Sequence, residues 1–149
     1  MRIRIATSED AKAIHELHTI SVTKLCSKSY EPEIIHGWLE GRTPQGYKGI
    51  LKNEMYVLEE KGQIAGFSHV VPGEIVAIFV HPEFIRKGIG SALVKHAAKI
   101  AKTNWNGPVK IDSTLNAEPF YESLGFVRIG EQQGKRNNIF LRVINMKLD

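Results

Sequence analysis

The sequence predicts an α/β domain in which about seven strands form one mixed sheet flanked by about four helices. Several short segments alternate apolar with polar residues or are continuously apolar, which is typical of strands. Other segments repeat apolar residues at the three- and four-residue spacing of helices. The segments follow one another as β-α-α-β-β-β-α-β-α-β-β, without an internal repeat. We therefore expect one domain, residues 1–149, with helices on both faces of the sheet.

The N-terminal part is predicted to contain one strand and two helices. Arg2 to Ala6 alternates polar and apolar residues, as a half-buried strand does. Thr7 or Ser8 then caps a helix whose first turn is acidic, which the helix dipole favours. A second helix covers Pro32 to Glu40, with proline in its first turn and a glycine after its end. The glycine-rich stretch Arg42 to Asn53 is predicted to be a loop.

The remainder is predicted to hold an antiparallel meander, a long helix and the last three strands. The meander strands are Met55 to Glu60, Gln63 to Val71 and Glu74 to Val80, which are joined by tight glycine turns. The elements that follow are the helix Gly88 to Thr103, the strand Val109 to Asp112, the short helix Ala117 to Leu124, and the strands Phe126 to Ile129 and Ile139 to Leu148. Gly130 to Asn138 is expected to be a polar loop. The helical crossover predicts that Val109 to Asp112 lies parallel to Glu74 to Val80.

Composition limits the kinds of partner. Hydrophobic residues make up 42% and charged residues 24% of the chain, as in ordinary globular proteins. No run of 18 apolar residues occurs, so no membrane partner is expected. The start MRIRIATSED lacks the apolar core of a signal peptide, which predicts a cytoplasmic protein. The net charge of +4 suits an anionic ligand but falls short of the basic stripe of a nucleic-acid binder, so no nucleic-acid partner is expected.

The cysteine and the histidines do not indicate a metal or disulfide site. With one cysteine, Cys26, an internal disulfide is excluded, and its polar surroundings without a nearby base favour a structural thiol over a nucleophile. The histidines show no metal-ligand spacing, so no metal is expected. The pair His15 and His18 fits a helix surface better than a zinc site.

The junction between the fourth predicted strand and the long helix has the features of a phosphate site. Glycines at Gly88 and Gly90 let backbone N–H groups approach an anion closely, and the first helical turn leaves its N–H groups unpaired. Arg86 and Lys87 add positive charge. The alternative is a tight turn whose glycines serve geometry alone, and the two basic residues favour the anion site.

Two nucleotide-binding motifs do not fit this junction. A dinucleotide fingerprint requires a third glycine where Leu93 stands, and one crossover helix cannot build its repeated halves. A Walker A loop requires Gly-Lys-Ser/Thr, which is absent at this spacing.

Two segments carry a resemblance to a known family. VHPEFIRKGIGSALV, residues 80–94, resembles the acyl-CoA-binding motif of the GCN5-related N-acetyltransferase superfamily (GNAT). LNAEPFYESLGF, residues 115–126, resembles the second motif of that superfamily. Together with the strand order, the resemblance covers nearly the whole chain. One residue departs from the family pattern Gln/Arg-x-x-Gly-x-Gly/Ala. Ile85 stands at the Gln/Arg position, and Arg86 is adjacent.

The resemblance implies where acetyl-CoA, as cosubstrate, would bind. It would lie between the strands Glu74–Val80 and Val109–Asp112. Its pyrophosphate would rest on the N–H groups of Arg86, Lys87, Gly88, Ile89, Gly90 and Ser91. Its pantetheine amides would pair with the backbone of Ile78, Phe79 and Val80, as a strand edge permits. Asn116 and Thr114 would bond pantetheine or, as is commoner for these residues, cap the short helix.

The resemblance also implies catalytic roles. The tyrosine of Phe-Tyr-x-x-x-Gly-Phe is Tyr121, and its phenol would protonate or hold the leaving CoA thiolate, so it belongs to both the catalytic and the CoA-binding sets. The alternative for Tyr121 is packing of the short helix, which is the interpretation favoured for Phe120. Glu74 aligns with the base glutamate of the histone-acetylating branch, with an exposed strand-start carboxylate as the alternative. His69, one strand over, is the next candidate.

The implied activity is transfer of acetyl from acetyl-CoA to a primary amine by direct attack in a ternary complex. A non-catalytic acyl-CoA sensor is the alternative. The implied partners are a small-molecule or peptide amine and, as the family default, a second copy in a homodimer. Lys48, Lys52, Lys135 and Arg136 near the presumed acceptor loops disfavour a strongly cationic acceptor.

Overall fold

The structure, a computed structural model, describes residues 1–149, and its seven strands form one sheet in the order β1-β2-β3-β4-β5-β7-β6. The strands are β1 Arg2–Ile5, β2 Met55–Glu60, β3 Gln63–Val71, β4 Glu74–Val80, β5 Val109–Ser113, β6 Val127–Arg136 and β7 Ile139–Leu148. The helices are α1 Ala11–Ser21, α2 Pro32–Leu39, α3 Ile89–Ala101 and α4 Glu118–Ser123. The predicted α/β fold class with one mixed sheet is therefore confirmed. No helix has the length and apolarity needed to cross a membrane.

The sheet opens in its middle. All neighbouring strands pair antiparallel except β4 and β5, which are parallel, as the α3 crossover predicts. The parallel pairing joins Glu74 to Lys110 and Ile75 to Ile111 and then stops. Beyond this point β4 runs from Val76 to Val80 without a partner in β5. A gap therefore separates the two halves of the sheet.

An extra residue in β4 lies where this gap begins. His69 in β3 pairs with Ala77, whereas the next residue, Val70, pairs with Ile75, so Val76 has no partner in β3. A bulge of this kind bends its strand and increases the local twist. The bend turns β4 away from β5 and accounts for the short parallel pairing.

The helices cover both faces of the sheet. Beneath α1, Ile14 and Leu17 pack with Val57 and Phe67. On the opposite face the apolar stripe of α3, which includes Val94, Ala97 and Ala101, packs against Ile75, Ile111 and Met146. Burying these apolar faces is the main source of stability of a sheet with flanking helices.

The segment before α2 is fixed to the β5 side of the gap by one hydroxyl. The Tyr30 hydroxyl donates to the Arg142 carbonyl at 2.6 Å and accepts from the Leu115 N–H at 3.0 Å. Its ring meets Trp38 of α2 edge-on. These contacts hold the α2 layer against β7 and against the turn that follows β5.

One predicted loop is wrong. The stretch Gly130 to Asn138 was expected to be irregular, but β6 continues to Arg136 and pairs with β7 along its length. β6 is an edge strand with most of its side chains exposed, so it has no apolar alternation to mark it as a strand.

Candidate functional site

The gap between β4 and β5 opens into a cavity of about 1110 Å³. Phe67 and Phe79, which line it, belong to the core beneath α1, whereas Ile111 and Tyr121, which also line it, belong to the core beneath α3. The cavity therefore reaches both faces of the sheet. A long flexible molecule held in it would present one end to each face.

The first turn of α3 forms one end of the cavity. Gly88, just before the helix, has φ of +79°, a left-handed conformation that glycine adopts without strain. The Ala92 N–H donates to the Gly88 carbonyl at 3.0 Å, which is the first bond of the helix. The N–H groups of Ile89, Gly90 and Ser91 precede that bond and have no acceptor within the helix. The first turn of α3 thus leaves three N–H groups without a helical acceptor, and the binding of an anion there stays a prediction.

Some residues around this turn line the cavity, whereas the side chains of others lie elsewhere. Arg86, Gly88, Gly90 and Ser91 line the cavity, together with Ile85, the residue that departs from the family pattern. The Lys87 ammonium instead lies 5.4 Å from the centre of the Phe84 ring, and Ile89 is buried beneath α3. For Ile89, only the main chain is therefore available to an anion, and the Lys87 side chain is not part of the cavity lining.

The free side of β4 forms the wall of the gap. Ile78, Phe79 and Val80 line the cavity and are half-buried. Across the gap, Asn116 lies in the turn between β5 and α4, and both Asn116 and Cys26 line the cavity. Burial raises the pKa of the Cys26 thiol to about 11, so Cys26 is protonated at neutral pH and poorly suited to nucleophilic attack.

Tyr121 reaches the cavity from α4. Its side chain is buried, its ring meets Phe126 edge-on, and burial raises the pKa of its phenol well above the usual value. The phenol is therefore protonated throughout the physiological pH range. The neighbouring Phe120 was expected to pack α4 on the sheet, but it does not. It is 36% exposed, and its ring tip lies close to Gly90 of α3.

Three of the side chains that line the cavity are candidate proton acceptors, namely Glu74, His69 and Glu54. Glu74 is exposed at the start of β4 and makes no ion pair or side-chain hydrogen bond. His69 Nε2 lies 2.9 Å from an oxygen of Glu54. Glu54 was not predicted from the sequence, because a register shift between Leu58 and Glu59 is what pairs Met55 with His69 and so places Glu54 beside it.

His18 contradicts the expectation of a helix-surface residue. It is 6% exposed, and its ring centre lies 4.4 Å from that of Phe79. Its Nδ1 lies 2.9 Å from the Tyr47 hydroxyl and 3.1 Å from Arg42 Nη2. Because a guanidinium only donates, Nδ1 accepts and Nε2 carries the proton, buried without a partner. No role was predicted for Arg42 from the sequence.

Stability should fall as the pH is lowered from about 6.5 to 4.5, because burial of His18, with nearby positive charges, lowers its pKa to about 3. In this range the unfolded chain takes up a proton at His18 whereas the folded chain does not. This one group should remove about 2–3 kcal/mol of unfolding free energy by pH 4.5. Urea denaturation of wild type and His18→Gln at both pH values measures the difference. If the unfolding free energy changes equally with pH in the two proteins, His18 is not the group responsible. His36→Gln, at an exposed position, is the control.

Comparison with known proteins agrees with this geometry. Residues 26–149 match the family model of the acetyltransferase (GNAT) domain. The chain is 26% identical over 133 residues to YafP, an uncharacterized N-acetyltransferase of Escherichia coli K12, and the match covers 89% of this chain and 85% of YafP.

Two solved structures share the fold over nearly the whole chain. A GCN5-related N-acetyltransferase from Rhodopseudomonas palustris superposes with a TM-score of 0.91 at 21% identity, covering 99% of this chain and 94% of that one. PaiA N-acetyltransferase from Thermoplasma acidophilum, in complex with coenzyme A, gives 0.77 at 18% identity, covering 99% and 97%. Because the family model spans most of the sequence, the chain belongs to the GCN5-related N-acetyltransferase superfamily.

Proposed function

We propose that this acetyltransferase moves the acetyl group of acetyl-CoA to a primary amine by direct attack within a ternary complex. The observation that carries the proposal is the gap between β4 and β5. It runs from unpaired N–H groups at the start of α3, along a free strand edge, to Tyr121 on one face and Glu74 on the other. Acetyl-CoA consists of a diphosphate, a chain with two amides and a thioester, and its binding requires these groups in this order.

The residues that would hold acetyl-CoA follow from the chemistry of each part. The diphosphate would accept hydrogen bonds from the first turn of α3, with Arg86 adding charge. The pantetheine amides would pair with the backbone of Ile78 to Val80, and Asn116 lies across the gap from them. The complex of the T. acidophilum enzyme with coenzyme A supports CoA as the ligand class of this fold.

The reaction requires proton transfer at both ends. An amine of pKa about 10.4 is mostly protonated at neutral pH, so Glu74 would accept its proton before the nitrogen bonds the acyl carbon. A backbone N–H of β4 would stabilise the charge that develops on the acyl oxygen. The C–S bond then breaks, and Tyr121 would protonate the departing thiolate, whose pKa is about 8.5. The second proton lost by the nitrogen returns to Tyr121 through solvent.

Two variants distinguish the candidate bases Glu74 and His69. Glu74→Gln should lower kcat/KM about tenfold to a hundredfold, whereas His69→Gln should change kcat/KM less than about threefold. His69 is the matched comparison because it lines the same face of the cavity and is hydrogen-bonded to Glu54. A larger loss in His69→Gln than in Glu74→Gln would assign the proton to the His69–Glu54 pair instead.

The proposed activity is tested by following free thiol released from acetyl-CoA in the presence of amines, with the product identified by mass. A gain of one acetyl group on the amine is expected. A protein that binds acetyl-CoA but releases no thiol with any amine would be a sensor, and the proposal would be wrong.

A further inference from the structure

Five of the seven arginines of the chain fall into two groups. Arg4, Arg128 and Arg142 pair with carboxylates at the surface. Arg42 and Arg136 line the cavity, are half-buried, and have no acidic partner. A half-buried guanidinium without an anion retains both its charge and unused donors.

Neutral groups hold Arg42 in place. The residue follows α2, and its guanidinium lies 5.7 Å from the centre of the Tyr47 ring and donates to His18 Nδ1 at 3.1 Å. His18 is uncharged at neutral pH, because burial and the charges of Arg42, His15 and Arg136 lower its pKa to about 3. Arg42 is therefore fixed in position while its charge is not compensated.

Arg136 is brought to the same place by the β6–β7 hairpin. Asn137 at the hairpin tip donates to the carbonyls of Gly37 and Glu40 at 3.0 and 2.6 Å, which docks the hairpin on the end of α2. Arg136 itself donates only to the carbonyl of Lys135, at 3.0 Å. Because Arg42 follows the same end of α2 and both arginines line the cavity, the two guanidinium groups belong to one region of it.

Three lysines add to the positive charge of the acceptor side. Lys48, Lys52 and Lys135 also line the cavity, whereas Glu54 is already bonded to His69. Of the other two carboxylates in the lining, Asp112 accepts a hydrogen bond from Asn145 at 2.7 Å, whereas Glu74 makes no ion pair or side-chain hydrogen bond. The region thus offers one proton acceptor beside a cluster of uncompensated cations.

We propose that the acceptor amine carries an anionic group, carboxylate or phosphate, which Arg42 and Arg136 bind while the amine is presented toward Glu74. This inference rests on the proposed acetyl transfer and specifies its substrate class. A guanidinium fork matches the oxygens of both anions and holds them in a fixed orientation. Diamines and other polycations would be repelled by the same cluster.

The test uses pairs of amines that differ in the anionic group. The pairs are β-alanine and β-alaninamide, phenylalanine and phenylalaninamide, and phosphoethanolamine and ethanolamine. We expect kcat/KM to be at least about tenfold higher for the anionic member of one pair or more. Removing the anion lowers the pKa of the amine, which favours the neutral member chemically, so such a preference must come from binding. Preference within the first two pairs identifies a carboxylate, and within the third a phosphate.

Variants then locate the anion site. Arg42→Gln and Arg136→Gln should each reduce the anionic-over-neutral preference at least about fivefold. The control is Arg2→Gln, which removes an unpaired, exposed arginine on β1 and should leave the preference unchanged. The inference is overturned if the ratio of kcat/KM for the anionic and the neutral member is near one in all pairs for wild type. It is also overturned if this ratio is unchanged in both cavity variants.

A binding measurement keeps this outcome separate from failure of the proposed activity. In the presence of CoA, the anionic members should raise the melting temperature of wild type more than the neutral members do, and Arg42→Gln should remove the difference. This result supports the anion site even if no thiol is released. Thiol release with neutral amines but no anion-dependent stabilisation leaves the proposed activity intact and contradicts the anion site.

Discussion

Replacing Tyr121 with phenylalanine should lower kcat for acetyl transfer about a hundredfold while the affinity for acetyl-CoA changes less than about threefold. The substitution removes one oxygen and keeps the ring that packs against Phe126. Because burial raises the pKa of Tyr121, the phenol is protonated at neutral pH and can donate to a thiolate. The proposed role is specific to the departure of CoA, so binding is largely spared.

Tyr56→Phe is the matched control for this variant. Tyr56 in β2 is half-buried, and its ring lies against His96, away from the cavity. The Tyr56→Phe enzyme should keep the kcat of wild type. A Tyr121→Phe enzyme with kcat within about threefold of wild type would show that the thiolate departs without this phenol.

Gly90→Val should weaken binding of acetyl-CoA about a hundredfold or more, measured by isothermal titration calorimetry. A Cβ at Gly90 would lie 3.1 Å from the Phe120 ring tip and 3.6 Å from a methyl of Val80. A branched side chain there displaces Phe120 or fills the gap beside the first turn of α3. It would also obstruct the N–H groups whose charge-assisted bonds to phosphate are worth about 1.5–3 kcal/mol each.

Gly130→Ala separates obstruction from a general loss of stability. Gly130 lies in β6, outside the cavity, and its nearest neighbour would be 3.6 Å from the added Cβ. This variant should bind acetyl-CoA like wild type. If Gly90→Val folds and binds acetyl-CoA with unchanged affinity, the first turn of α3 does not hold the diphosphate.

The sequence is sufficient to predict the elements that build the CoA side of the site. The three meander strands were predicted to the residue because Lys61-Gly62 and Pro72-Gly73 mark both turns, where Lys61, Gly62 and Gly73 adopt positive φ. The glycine turn before α3 and Tyr121 lie in contiguous motifs whose local geometry the residues specify. Their roles in binding and catalysis stay predictions.

The acceptor side was not predictable in the same way, because its contacts join distant segments. His18 meets Tyr47 and Arg42 only when the loop after α2 folds over α1, across separations of 29 and 24 residues. The amphipathic pattern of α1 places His18 near its apolar face but does not show that aromatic rings enclose it. β6 was missed for the related reason that an exposed edge strand carries no apolar pattern.

The central claim is that the gap between β4 and β5 and the start of α3 together hold acetyl-CoA. A crystal structure of the protein with CoA tests this most directly. We expect the diphosphate within hydrogen-bonding distance of the N–H groups of Ile89, Gly90 and Ser91, with pantetheine along Ile78 to Val80 and the sulfur near the Tyr121 hydroxyl. CoA bound elsewhere, or β4 and β5 paired along their whole lengths, would contradict the account.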